Sequence, residues 1–313
     1  MELGIGVDIG ATNIRIAIGN SKGKIILKSV ERTTQEGNEY SISSQIVRII
    51  KEFPKELLQK VSRIVIGSAG PLDIYKGCIY PANLPFKVAY LVEPVSRELG
   101  LRATLLNDAV VAVLGEKYFG QGKKVDNMVY VTISSGIGVG VFVDRHVLLG
   151  KDGNAHEFGH TTIDLEGRLL CGCGKRGHWE AYCSGNNIPN YAGLLSNQVD
   201  NIITYKSSIL HGKLGQVKSK EIFDAARNGD SFALTVVRNV GRLNAIGFAN
   251  LINVYDPEII VVGGAVATNN KDLILNPIIE QVKDHAINRI PPITLTSLGD
   301  DIGLLGAIAA VFH

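Results

Sequence analysis

The sequence has no apolar run near the roughly 20 residues that a membrane-spanning helix needs, so none is expected. It has no Gly-x-x-x-x-Gly-Lys-Ser/Thr run, which excludes a P-loop. Charge is nearly balanced, 32 Lys and Arg against 30 Asp and Glu, for a net +2. Without a basic excess, nucleic acid is not an expected partner. Residues 1–8 have neither a basic n-region nor a cleavage site and read as a first strand, not a secretory leader. Only four cysteines occur: Cys78, Cys171, Cys173 and Cys183. Cys171 and Cys173 are spaced poorly for an ordinary disulfide and well for a metal. The expected setting is reduced and cytoplasmic.

What is present is an ordinary globular balance in 313 residues, 45% hydrophobic and 20% charged, enough for about two domains. Apolar runs at 3–7, 14–18, 24–28, 63–67, 103–106, 128–133, 139–143 and 258–264 read as strands. Between and after them, helical periodicity is expected at 40–60, 88–99, 109–119, 219–227, 230–254, 271–287 and 303–311. Alternation of the two makes the class α/β. Gly120-Gln121-Gly122-Lys123-Lys124 is the candidate boundary, giving domains 1–119 and 120–302. Beyond it the opening strand, glycine turn and strand recur, which suggests two related halves.

Three glycine-bearing turns follow apolar strands: residues 8–13, 134–138 and 263–265. Glycine lets backbone N–H groups approach a phosphate, and successive N–H groups form anion nests. The Thr12 hydroxyl can donate to a phosphate oxygen, and Asp8 can hold Mg²⁺ through water. Taken singly, such turns are also ordinary strand connections. Asn107-Asp108 ends a short strand in an apolar setting. A carboxylate there can accept the proton of an attacking hydroxyl while Asn107 holds a neighbouring one. The same pair also reads as a helix N-cap, and the two roles are compatible. His160, Cys171, Cys173 and His178 offer two imidazoles and two thiolates, a set suited to a structural, tetrahedral Zn²⁺. Glu157 and Glu180 flank this segment as candidate acceptors for sugar hydroxyls, or as solvated carboxylates. Trp179, the single tryptophan, and Cys183 read as packing residues.

Together these motifs resemble the ROK family of sugar kinases and repressors over nearly the whole chain. Asp8-Ile9-Gly10-Ala11-Thr12-Asn13-Ile14-Arg15 resembles the first phosphate loop of the family. Gly67-Ser68-Ala69-Gly70-Pro71-Leu72-Asp73 and Asn83-Leu84-Pro85 resemble its sugar-domain loops, and Asn107-Asp108 its sugar-binding Asn and catalytic Asp. Ser134-Ser135-Gly136-Ile137-Gly138 stands where the family has Gly-Thr-Gly-Ile-Gly, and Asp256-Pro257-Glu258 with Gly263-Gly264 resembles its adenosine-side segment. Glu157-Phe158-Gly159-His160 and Cys171-Gly172-Cys173-Gly174 carry the most specific match. Where the family carries a third cysteine, this chain has His178, which keeps four ligands and lowers their negative charge by one. His156 stands where a small residue is commoner, which bears on the sugar pocket.

The resemblance implies an actin-like (ribonuclease H-like) two-domain kinase fold with a closing central cleft, helix 303–313 packing on the first domain, and a homodimer or higher homo-oligomer. It implies ATP with Mg²⁺, structural Zn²⁺, and phosphorylation of a hexose, glucose foremost, with Asp108 as base. Gly70, Asn83, Asn107, Glu157, His160 and Glu180 are the implied sugar contacts. Asp8, Gly10, Ala11, Thr12, Asn13, Arg15, Ser134, Ser135, Gly136, Gly138, Gly263 and Gly264 are those to ATP. An N-acetylhexosamine kinase is the alternative. A non-catalytic sugar sensor is a remoter one, since the chain opens directly into the first strand with no DNA-binding segment ahead of it.

Overall fold

A computed structural model describes residues 2–81 and 84–313. Strands and helices alternate along the chain, and it divides into two compact units. The first comprises Met1–Tyr130, Gly140–His156 and Thr296–His313, the second Val131–Val139 and Glu157–Leu295.

The main sheet of the first unit has the spatial order Ile25–Arg32, Asn13–Asn20, Leu3–Ile9, Val61–Ser68, Arg102–Asn107. Its inner strands carry nearly continuous apolar runs because both faces are covered; Ile5, Val7, Ile16, Ile64 and Ile66 are all buried. The edge strand Ile25–Arg32 instead alternates half-buried and exposed residues, as one wet face requires. Leu3–Ile9 pairs antiparallel with Asn13–Asn20 and parallel with Val61–Ser68, which pairs parallel with Arg102–Asn107. In that register Ile9, Ser68 and Asn107 lie side by side. Three strands therefore end together at one edge, the place where parallel sheets present ligand-binding loops. The apolar helix Ile302–Phe312 packs on this sheet and on the helix Asp108–Tyr118.

The second five-stranded sheet has the order His146–Val147, Ile137–Val143, Met128–Ile133, Ile259–Gly263, Ile293–Leu295. This is the same sequence of strands as in the first sheet: third, second, first, fourth, fifth. The recurrence read from the glycine turns is therefore a recurrence of topology. The long helix Ser231–Tyr255 supplies much of the core of the second unit, through Phe232, Val236, Val240 and Phe248. Among the described residues, no helix is long and apolar enough to cross a membrane.

Candidate active site

Asp8 sits near the end of the first strand, directly opposite Arg15 in the hairpin register. The two form an ion pair at 3.0 Å, with the Asp8 side chain 16% exposed. Burial raises the Asp8 carboxyl above its ordinary range, and the hydrogen bond and charge of Arg15 oppose that rise. In the following turn the Gly10 N–H donates to the Asn13 carbonyl at 2.9 Å. Thr33 Oγ1 donates to the Gly10 carbonyl at 2.6 Å, and Gln35 Nε2 to that of Ala11 at 3.1 Å. The turn is thereby buttressed through its carbonyls, with Ala11 and Thr12 at its exposed tip.

At the same edge Asn107 caps the helix Asp108–Tyr118. Its Oδ1 accepts the Ala109 N–H at 2.8 Å, and Asp108 Oδ1 accepts the same N–H at 2.8 Å. Both side chains are thus fixed by one backbone donor at the start of a helix, so the capping role is real and also orients the carboxylate. Asn107 is buried and Asp108 half-buried. Gly70 lies two residues beyond Ser68, the register partner of Asn107. Of the expected sugar contacts, Asn83 lies outside the described residues. His156 is buried, with Nε2 at 2.9 Å from the Gly153 carbonyl.

In the second unit a tight hairpin, with bridges Thr162↔His178 and Leu170↔Arg176, returns two cysteines onto two histidines. The ligand atoms of His160, Cys171, Cys173 and His178 all lie within 4.8 Å of one another. Cys171 Sγ is 3.5 Å from His160 Nδ1, and Cys173 Sγ is 3.2 Å from His178 Nδ1. The S···N edge of a tetrahedral zinc site, from its usual bond lengths, is about 3.6 Å. The donor set and its spacing therefore fit Zn²⁺. Burial pushes the Cys171 thiol up to about 12, so a thiolate there calls for a bound cation. His160 turns Nδ1 to the cysteine and Nε2 toward Glu157, 3.6 Å from Oε2. Glu180 directs Oε1 to the Cys171 thiol at 3.6 Å and Oε2 to the Ile137 N–H at 2.8 Å.

The second glycine loop, residues 134–138, borders a cavity of about 480 Å³. Ser134 and Ser135 line it, with Ala265 and Val266 from the start of the short helix Ala265–Asn269. Gly264 itself packs against the Ile133 carbonyl. The remaining wall comes from Gly185, Asn186, Pro189, Asn190, Leu214, Gly215, Val217, Lys218 and Ser219, none of which the sequence reading singled out. Only the turn signal of Ser184-Gly185-Asn186 could have drawn attention to it; 214–219 carries no motif. The volume suits a small-molecule moiety. A groove of about 540 Å³ between the helices Ser41–Lys51 and Val92–Leu99 is larger but is lined by charges already paired, such as Arg48 with Glu52 and Lys51 with Glu98.

The structure thus gathers Asp8, residues 10–13, Arg15, Asn107 and Asp108 at one sheet edge of the first unit. It gathers the 134–138 loop, Glu157, His160, Glu180 and the metal cluster in the second. Residues 4–313 match the ROK family, and the chain belongs to that family. It is 32% identical over 309 residues to a glucokinase of Pyrobaculum calidifontis, covering 98% of this chain and 94% of that one. A ROK hexokinase from Thermus thermophilus superposes with a TM-score of 0.85 at 29% identity, over 98% of this chain and 97% of the other. A ROK family glucokinase from Streptomyces griseus, solved with glucose and AMPPNP, superposes with a TM-score of 0.74 at 29% identity over 98% of each chain. The fold is the actin-like α/β fold of ROK sugar kinases.

Proposed function

We propose that the protein is an ATP-dependent hexose kinase that converts glucose to glucose 6-phosphate, with Asp108 as the general base. The observation that carries this is the placing of Asp108: a carboxylate at the end of a parallel strand, oriented with Asn107 by a single N–H donor. Support comes from the glucokinase relatives, one of them solved with glucose and AMPPNP.

In this reading Asp108 accepts the proton of the attacking hydroxyl, the chemistry that phosphoryl transfer to an alcohol requires. Asn107 orients a neighbouring hydroxyl through its amide, its Oδ1 being committed to the helix cap. On the family resemblance, Gly70, Asn83, Glu157, His160 and Glu180 are the proposed sugar contacts. Gly10, Ala11, Thr12, Asn13 and Arg15 serve the phosphates, as do Ser134, Ser135, Gly136 and Gly138. Gly263 and Gly264 border the nucleoside. Asp8 would hold the Mg²⁺ that accompanies ATP, which would supply neutralisation of phosphate charge. His160, Cys171, Cys173 and His178 hold a Zn²⁺ that fixes the orientation of the His160 ring. The domain division read from the sequence, a cytoplasmic setting and a homodimer or higher homo-oligomer belong to the same proposal, on the family resemblance.

A coupled ATP-consumption assay over glucose, N-acetylglucosamine and N-acetylmannosamine tests it. The highest kcat/KM is expected for glucose. Preference for either N-acetylhexosamine would overturn the substrate, and absence of sugar-dependent ATP consumption would overturn the kinase.

A further inference from the structure

The second glycine loop is fastened to the metal knuckle from several directions. The Ile137 N–H donates to Glu180 Oε2 at 2.8 Å. Gly136 faces the same carboxylate so closely that a Cβ on it would lie 2.6 Å from Oε2. The Ile137 carbonyl abuts Gly159, where a Cβ would lie 2.2 Å from its oxygen. The Ile137 N–H is therefore held by Glu180, while its C=O lies against Gly159, which leaves no room for a side chain there. Each contact is anchored in the knuckle. Gly159 immediately precedes His160, and Glu180 follows His178 by two residues. Beyond the short helix Glu180–Cys183, the Gly185 N–H donates to the Ser134 carbonyl at 2.7 Å.

We infer that Glu180 is a positioning residue for the nucleotide: it holds Ile137, and with it the 134–138 loop, in its phosphate-binding form, so that the metal knuckle governs nucleotide affinity as well as sugar binding. The inference rests on the proposed nucleotide role of that loop. A glycine-bearing loop has many conformations to lose on binding, and a charge-assisted hydrogen bond to its backbone removes that cost in advance. Glu180 contributes here through an N–H in the loop, without touching the nucleotide.

The test compares Glu180→Ala and Glu180→Gln in the full-length, zinc-loaded chain. Calorimetric titration with Mg²⁺ and AMPPNP, without sugar, is paired with hydrogen exchange at the Ile137 amide. Glu180→Ala is expected to weaken AMPPNP roughly tenfold, the effect of losing one hydrogen bond to a charged acceptor. It also accelerates exchange at Ile137. Glu180→Gln retains an oxygen for the same N–H and restores affinity to within about threefold of the parent. Zinc chelation accelerates exchange at Ile137 while leaving the Leu3–Ile9 strand protected. Parental AMPPNP affinity and Ile137 protection in Glu180→Ala would overturn the inference, as would a Gln variant as weak as Ala. If the parent fails to bind AMPPNP, the nucleotide reading itself is overturned, and exchange at Ile137 still decides whether the clamp exists.

Discussion

Replacing Asp108 by Asn separates the two jobs of that residue. The carboxylate shares the Ala109 N–H with Asn107, each at 2.8 Å. An asparagine can offer its own Oδ1 to the same donor, so the helix start keeps its hydrogen bonds. What is lost structurally is a negative charge in the first helical turn, about 0.3–1 kcal/mol. What is lost chemically is the proton acceptor, about 10²–10⁴ in rate. At 1.36 kcal/mol per tenfold, that is about 3–5 kcal/mol of activation free energy. Stability and turnover should therefore part company by several-fold in energy. Glucose affinity should hold, so kcat and kcat/KM fall together. ATP consumption at saturating MgATP and glucose, with a thermal melt of the same preparation, reads both. Turnover within tenfold of the parent would refute the base assignment. A collapse in melting temperature that matches the loss of turnover would refute the separation of roles.

Asn107→Ser keeps a good N-cap oxygen, so helix stability should change by less than about 0.5 kcal/mol. It removes the amide donor, so the KM for glucose should rise with kcat little changed; an unaltered KM in saturation kinetics would remove Asn107 from the sugar site. Cys173→Ser should abolish stoichiometric zinc in elemental analysis, whereas the parent carries one per chain; equal zinc in both would show that the cluster is not the site. Asp164 gives an acid-stability prediction. Burial raises its carboxyl, but hydrogen bonds from Arg168 and Tyr182 prevail and hold it at about 2, against 3.8 ordinarily. A carboxyl depressed on folding stabilises the fold above its unfolded value and loses that contribution as pH falls from about 4 to 2. The shift corresponds to at most about 2 kcal/mol, and because the Arg168 side chain is 46% exposed about 1 kcal/mol is expected. The stability gap between the parent and Asp164→Asn, from denaturant midpoints, should therefore close between pH 5 and pH 2; a gap constant with pH would count against the ion pair.

Much of the fold was written in apolar periodicity. Inner strands covered on both faces must be apolar throughout, so the runs at 63–67 and 128–133 were unmistakable. The expected strand at 128–133 is Met128–Ile133, and the expected helix at 219–227 is Ser219–Arg227. Other elements were over-extended. The helix expected over 40–60 stops at Lys51, because Pro54 cannot continue it, and resumes only as the short Lys55–Leu58. The helix expected over 88–99 begins at Val92, because Ala89–Tyr90 pairs instead with Cys78–Ile79. The helix expected over 271–287 ends at Gln281 in a tighter turn, Val282–Asp284. The metal cluster was legible because its ligands are chemically distinctive and close in sequence. Most of the cavity wall was not, since Asn190, Leu214 and Val217 have no chemistry of their own. They matter only because distant backbone segments bring them opposite Ser134. Nor could spacing show that Glu180 turns one oxygen to Ile137, forty-three positions earlier.

Trp179 is the only tryptophan in the chain, and it stands between His178 and Glu180. It is fully buried, its indole N–H donates to Asn244 Oδ1 at 2.9 Å, and its ring meets Phe248 edge-on at 5.8 Å. Light absorbed selectively by indole therefore interrogates a single, dry environment. That makes the emission spectrum of the unlabelled protein a built-in gauge of knuckle integrity: blue-shifted while the loop is closed, and moving red as water reaches the ring.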